Sequence, residues 1–340
     1  MQKAHKVIKI LTIILLSILV IIAIAGVAGV GYVKNKLSKI NYEGIPEDKI
    51  EVNDGVDLQE KGYRNIAIFG VDSRADTYDD TRSDCIIIAA INEDANDVKL
   101  VSVYRDSYLN IDGRGLDKVT HAFAFGGAQL SINTLNKNLD LDIKEYVAVN
   151  FEAVVEIINL MGGVEITIEP AELQYINSYI DGVDKQEGTT TKHITTAGKQ
   201  NLDGVQALAY SRIRYTAGGD YKRTERMRDV LIATFNKAKN LNASQINNVL
   251  NIALPKVSTN ITSSEIQSLI PKATSYNINT SIGWPYEVKG ITLDRWYGVP
   301  VTLESNVVKL HKEVFGETDY EATQTVKDIS QSIINKTGYK

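Results

Sequence analysis

Cysteine is almost missing from this chain. Cys85 is the only one in 340 residues, so no intrachain disulfide can form, and a chain of this length does not need one to hold a core. Its neighbour Asp84 opposes thiolate formation, which argues against a cysteine nucleophile and for a small buried strand residue. Proline is scarce as well. Six prolines and 44% hydrophobic residues fit a folded core and exclude a long low-complexity tract. The four histidines, His5, His121, His193 and His311, have no metal-ligand spacing, and neither a Ser-His-Asp arrangement nor a glycine-rich nucleotide loop can be recognised. Basic charge is short too. The formal net charge is −5, and without Lys3, Lys6 and Lys9 the remainder carries −8. With no recognition motif, that balance excludes a generic polyanion binder and a nucleic-acid partner.

One long apolar run stands out. From Ile10 to Val33 there are 24 residues without a charge, enough to cross a bilayer as a helix, where a signal-peptide core has only about 7 to 15. Residues 1–9 are therefore expected in the cytoplasm, 10–33 across the cell membrane in a single pass, 34–62 as an extracellular tether and 63–340 as a large domain outside the cytoplasm. Ala23-Ile-Ala25 resembles a cleavage site, and Lys34, Lys36 and Lys39 blunt the positive-inside rule, so a cleaved leader is the alternative.

Charge then appears in particular places. Asn65–Gly70, Cys85–Ala89 and Leu100–Tyr104 read as strands, with the polar turn 92–97 between the last two. If they form an antiparallel meander, Asp72, Asp84 and Arg105 lie at one end of one sheet. Surface ion pairs are the plain alternative. Further along, Asn201–Tyr210 reads as a short capped helix running into Ser211-Arg212-Ile213-Arg214. In an extended exit, Arg212 and Arg214 share a side. A long helix is expected from Arg223 to Lys239, with Met227, Val230, Leu231, Phe235 and Ala238 as core and with Arg223 and Arg226 adjacent on its first turn. Shorter helices are expected over 152–160 and 305–314. Carboxylates suit a hard cation that shares oxygen ligands with phosphates, and arginine's planar fork matches phosphate oxygens.

These residues fall in seven ordered pieces: Gly70-Val-Asp-Ser-Arg74, Arg82-Ser-Asp84, Ser102-Val-Tyr-Arg-Asp106, Lys118–Gly127, Met161-Gly-Gly-Val164, Ala197–Arg214 and Arg223-Thr-Glu-Arg226. Together, over a motif core of 65–232, they resemble the LytR-CpsA-Psr family of bacterial cell-envelope transferases, which move glycopolymers from polyprenyl-pyrophosphate carriers onto peptidoglycan. The resemblance implies an α/β fold: a mixed β-sheet covered by helices, with an apolar space for the lipid. By position it implies Asp72 and Asp84 as metal ligands for Mg²⁺, with Mn²⁺ as a substitute. It implies Arg82, Arg105, Lys118, Arg212, Arg214, Arg223 and Arg226 as pyrophosphate contacts, with Arg105 and Asp106 catalytic. Tyr104, Thr120, Asn201 and Met227 depart from the family's usual proline, asparagine, histidine and glutamine. The implied partners are a lipid-linked glycan and a peptidoglycan acceptor. Asp72 and Asp106 are both candidates for the general base. A non-catalytic binder of lipid-linked glycan and a lipid pyrophosphatase are the alternatives, because they need much the same residues.

Overall fold

The computed structural model describes residues 37–71, 81–238, 241–269 and 276–340. The expected membrane helix at 10–33 and Asp72 lie outside them. No helix among the described residues is long and apolar enough to cross a membrane. The chain divides into two compact units. One comprises Tyr42–Ala148, Thr259–Ile261 and Tyr276–Lys340; the other comprises Val149–Ser258 with the described parts of Met1–Asn41 and Thr262–Ser275.

The architecture is mixed α/β. A seven-stranded sheet has the order β1-β10-β7-β2-β3-β4-β11, where β1 is Asn41–Tyr42, β2 Tyr63–Val71, β3 Ser83–Asn92, β4 Asp97–Val103, β7 Glu145–Asn150, β10 Val257–Thr259 and β11 Asn277–Trp284. The expected meander is present: β2 pairs antiparallel with β3, and β3 with β4. β11 runs parallel to β4, which makes the sheet mixed. Ala67, Phe69, Val71, Ile86, Ile88, Val101 and Val103 join one core with helix α1, Thr120–Leu139, and with α8, Leu303–Leu310, and α9, Gln324–Thr337. Their sequence neighbours Ile66, Ile68, Ile87, Ala89 and Leu100 are buried as well. A strand buried on both faces loses the polar alternation of a half-exposed one, hence the unbroken apolar run Cys85–Ile91.

Two small hairpins frame the site residues. β5, Tyr108–Ile111, pairs with β6, Gly115–Lys118, so that Lys118 faces Tyr108. β12, Val288–Thr292, pairs with β13, Trp296–Pro300. α1 bends at Gly126 and Gly127, where the backbone leaves helical angles. Its C-terminal half docks the chain before β2 through amide side chains. Asn133 accepts from the Glu51 N–H and donates to the Lys49 carbonyl, while Asn136 donates to the Glu51 and Ile143 carbonyls. Buried asparagines are tolerated here because both amide ends are used.

The second unit contains α2 (Phe151–Leu160), α3 (Pro170–Glu187), α4 (Gly204–Arg212), α5 (Gly219–Ala238), α6 (Ala243–Ala253) and α7 (Ser263–Leu269), with β8 (Val164–Ile168) paired to β9 (Gly198–Leu202). The long helix expected from Arg223 thus starts one turn earlier. The short helix expected from Asn201 starts later, because Asn201 and Leu202 finish β9. Asp203 is the cap, accepting from the Gln206 N–H at 2.9 Å while Gln206 returns a contact to the Asp203 N–H. The last twenty residues carry α9. Val326 and Ile333 on it are buried.

Glycine is required at two joints. Gly163, at φ +88°, turns α2 into β8, and a Cβ there would lie 2.8 Å from the Leu202 carbonyl oxygen. At Gly204 a Cβ would lie 2.2 Å from the Val155 carbonyl oxygen. Gly204→Ala is therefore expected to push α4 off α2 and lower stability by about 2 kcal/mol or more. Gly182→Ala, where a Cβ meets nothing within 4 Å, is expected to raise it by up to about 1 kcal/mol. Paired urea melts check both.

Candidate functional site

In the first unit the register of the meander sets the charges. Ile86 pairs with Val103, so continuing the ladder outward sets Asp84 opposite Arg105. Arg105 Nη1 donates to Asp84 Oδ1 at 2.6 Å. On its other side Arg105 Nε lies 3.5 Å from Asp106 Oδ2, and Lys118 Nζ donates to Asp106 Oδ1 at 2.6 Å. Both cations and both carboxylates of this set are largely shielded, with side-chain exposures of 11% to 20%. Four of the residues singled out from the sequence, Asp84, Arg105, Asp106 and Lys118, are thus one network rather than scattered surface pairs. Arg82 is exposed at the entrance to β3.

Backbone bonds fix the loop that carries Arg105 and Asp106. The Ser107 N–H donates to the Tyr104 carbonyl, Thr120 N–H to the Arg105 carbonyl and Gly298 N–H to the Asp106 carbonyl, at 2.9, 3.1 and 2.9 Å. Thr120 Oγ1 also donates to the Ser83 carbonyl, tying the start of α1 to the strand that carries Asp84. Tyr104 N–H donates to the Trp284 carbonyl at 2.9 Å, a bond that a proline there could not make. The tyrosine ring lies over Gly283, where a Cβ would meet its hydroxyl at 2.1 Å. His121, on the first turn of α1, bonds Asp117 through Nδ1 at 2.8 Å.

In the second unit the arginines divide by role. Arg212 closes helix α4 instead of lying on an extended exit; it is half-buried, Ile213 beyond it is fully buried and Arg214 is exposed. Arg212 Nη1 donates to Gln186 Oε1 at 2.8 Å, and the Arg214 N–H donates to the Tyr179 hydroxyl at 3.2 Å. Arg223 and Arg226 are buried. Arg226 is committed to the protein: Nε donates to Glu172 Oε1 at 2.7 Å, Nη1 to the Ile213 carbonyl at 2.9 Å, and Nη2 to Thr216 Oγ1. Glu172 spends its other oxygen on the Glu169 N–H, the cap of α3. This geometry makes Arg226 the clamp on segment 213–216, a role invisible in the spacing that grouped it with Arg223. Asn201 likewise has a local duty, its amide donating to the Gly162 carbonyl at the glycine turn.

Sequence reading missed the buried pair behind this clamp. Tyr210 donates to Asp229 Oδ2 at 3.3 Å. Burial, then the nearby Glu225, pushes the Asp229 carboxyl up to about 6, the Tyr210 bond and neighbouring cations opposing this in part.

Residues 27–298 match the model of the LytR_cpsA_psr family. The chain belongs to this family. The teichoic acid transferase TagU of Enterococcus faecalis, named a polyisoprenyl-teichoic acid–peptidoglycan teichoic acid transferase, is 36% identical over 205 residues, 59% of this chain and 61% of that protein. TagT of Bacillus subtilis, named for the same transfer, is 31% identical over 234 residues, 67% of this chain and 70% of its own. In three dimensions, a family protein solved with bound octaprenyl pyrophosphate lipid superposes with a TM-score of 0.52 at 23% identity, covering 88% of this chain and 99% of that one. At that identity the likeness carries the fold.

No cluster of three or more histidine, cysteine or acidic side chains suited to a metal occurs among the described residues. The donor chemistry nevertheless fits Mg²⁺, which takes one or two protein carboxylates and completes its shell with water and phosphate oxygens. Asp84, at the mouth of β3, is such a carboxylate.

Two outcomes are expected. Breaking a buried ion pair on one side leaves an uncompensated charge, so Arg226→Met should destabilise the chain by about 3 to 5 kcal/mol, and Glu172→Gln by a similar amount, read by chemical denaturation. The folded Asp229 binds its proton more tightly than the unfolded one, so its contribution to stability is present at low pH and is lost as pH rises from about 4 through about 6. Asp229→Asn should flatten the stability profile across that window and leave the variant more stable than wild type at pH 8, by on the order of 3 kcal/mol.

Proposed function

We propose that the protein is a membrane-anchored phosphotransferase that attaches a polyprenyl-pyrophosphate-linked glycopolymer, such as a teichoic acid or capsular polysaccharide, to peptidoglycan. The observation that carries this reading is the held arginine: in a chain of the LytR-CpsA-Psr family, Arg105 is fixed between Asp84 and Asp106 by strand register. The relatives' names and the lipid in the solved family structure support the substrate class. The apolar run of 10–33 supports an uncleaved single-pass anchor with the large domain outside the cytoplasm.

In this reading an acceptor hydroxyl attacks the glycan-side phosphorus. The bond from that phosphorus to the bridging oxygen breaks, and polyprenyl phosphate leaves with the electron pair. The hydroxyl proton passes to Asp106 or Asp72. Phosphoryl transfer depends mainly on positioning and charge neutralisation, so no protein nucleophile is needed. Arg105 meets the charge that develops on the transferring phosphoryl oxygens. Lys118, on the far side of Asp106, adds cationic field. Arg82, Arg212, Arg214 and Arg223 contribute guanidinium forks for the pyrophosphate oxygens. Asp84 and Asp72 would hold Mg²⁺, which supplies neutralisation of pyrophosphate charge when bound. The polyprenyl tail occupies an apolar space.

The full chain in detergent, given Mg²⁺, a lipid-pyrophosphate glycan and peptidoglycan fragments, should yield a phosphodiester-linked product and free polyprenyl phosphate. A charge-assisted contact is worth about 1.5 to 3 kcal/mol, so Arg105→Ala should reduce turnover by about ten- to a hundredfold or more while lipid affinity falls less. No product from the wild type under any divalent metal, with the Arg105→Ala defect confined to affinity, would identify a binder instead. Release of lipid phosphate without acceptor would identify a pyrophosphatase.

A further inference from the structure

One face of the β12–β13 hairpin carries an aromatic plane that the proposed chemistry does not use. Gly290 and Gly298 face each other across the two strands, and the indole of Trp296 lies over both. A Cβ on Gly290 would stand 2.8 Å from Trp296 Nε1, and one on Gly298 would stand 3.6 Å from Trp296 Cη2. With no side chain beneath it the ring lies close to the backbone, and 41% of the residue is still exposed. The other face of the hairpin is the packed one: Tyr297 and Val299, which alternate with Trp296 and Gly298 along β13, belong to the core.

This plane adjoins the charged network. The Gly298 N–H donates to the Asp106 carbonyl at 2.9 Å, and the Gly298 Cβ position that meets the indole lies 3.7 Å from the same carbonyl oxygen. The hairpin turn beside the ring is polar. Asp294 accepts from the Tyr297 hydroxyl at 2.6 Å and from Arg295 Nε at 2.9 Å. The Tyr297 bond, outweighing desolvation and helped by Arg295, holds the Asp294 carboxyl below its ordinary range. The field of Asp117 reaches Tyr297 and Arg295 as well.

We propose that Trp296 is the stacking platform for a pyranose ring of the peptidoglycan acceptor, which it holds beside the Asp106 loop. The inference rests on the function proposed above and names where its acceptor binds. The C–H bonds on one face of a pyranose carry partial positive charge and meet the negative face of an aromatic ring. The hydroxyls at its edge need hydrogen-bond partners, which Asp294 and Arg295 offer. Charge selects the acceptor over the donor, because Asp294 and Asp117 repel a pyrophosphate-bearing chain while uncharged sugar hydroxyls donate to carboxylates. Leu293 is exposed beside the ring, which makes a lipid surface the rival occupant. The flat indole, presenting one face, and the carboxylate of the turn suit a sugar better than anionic headgroups.

The chain has two tryptophans, and Trp284 is fully buried, so emission open to a quencher reports Trp296. With the full chain in phosphatidylcholine nanodiscs, a peptide-free peptidoglycan tetrasaccharide should shield that emission from acrylamide, and Trp296→Phe should abolish the signal. In the transfer assay Trp296→Ala should raise the KM for the tetrasaccharide by about three- to tenfold, with kcat and donor affinity nearly unchanged, the mark of lost uniform binding. Trp296→Phe should lose less, and Trp296→Leu about as much as alanine, since only an aromatic face stacks. Gly290→Ala should imitate Trp296→Ala because its methyl lifts the indole, and should add nothing to it in the double variant. An indole over cross-strand glycines also steadies a hairpin; a lower melting temperature for Trp296→Ala with an unchanged acceptor KM would make the ring a structural cover and overturn the platform. Quenching of Trp296 by brominated acyl chains in the nanodisc, or shielding by the lipid-linked donor instead of the tetrasaccharide, would overturn it in favour of a membrane or a donor contact. Shielding by the tetrasaccharide without transfer would overturn the proposed function and leave the platform standing, whereas transfer without shielding would do the reverse.

Discussion

The β3–β4 register is the constraint on which the rest of the candidate site depends. From Asn92 opposite Asp97 to Ile86 opposite Val103, each pair keeps step, and the extension of that step is what brings a carboxylate and a guanidinium together beyond the last rung. A slip of one residue would reverse which side chains face the α1 core and would set Asp84 against Tyr104 or Asp106. The register is protected where a slip would begin. Asn92 caps its own turn by accepting from the Ala95 N–H, and Asn96 takes the left-handed conformation at φ 50° that closes it. A tight polar turn at one end of the hairpin thus places the charges at the other.

Once Arg105 is in register, the hairpin β5–β6 completes the network by returning Lys118 to Asp106. Four charges then balance within a few ångströms, which lets them sit mostly out of water without an isolated ion. The second unit solves a similar problem differently. There the clamp is one guanidinium, Arg226, with each of its three nitrogens bonded, to Glu172, the Ile213 carbonyl and Thr216. It secures the turn between α4 and α5, and with it the backbone that displays Arg212 and Arg214. Replacing an arginine of this kind by lysine would not be conservative, since a single ammonium cannot bridge three acceptors in one plane.

Much of this was legible in the sequence, and the reasons differ from residue to residue. The meander could be read because 65–70, 85–89 and 100–104 are β-branched runs bounded by polar turns, and the end at which Asp84 and Arg105 meet follows from antiparallel topology alone. The Lys118–Asp106 bond could not be read, because it depends on the length and twist of the 108–118 hairpin. Helix α4 was placed too early since Asn201 is a good capping residue by type; the β8–β9 pairing claimed it for the sheet, and Asp203 took the cap. α9 escaped notice because its apolar residues are diluted by polar ones, and only packing against α1 and α8 singles out Val326 and Ile333. Arg226 looked like a partner of Arg223, three residues away, yet spacing says nothing of which buried carboxylate lies opposite.

The arginines of this chain can therefore be sorted by what balances them. Arg105 is matched by carboxylates that also lie at the edge of solvent, so its pairing can be exchanged for a ligand without exposing a bare charge in the core. Arg226 is matched by groups as buried as itself, and removing its partners would cost more than any ligand contact returns; it belongs to the scaffold. Arg212 and Arg214 are wet enough to need little balance.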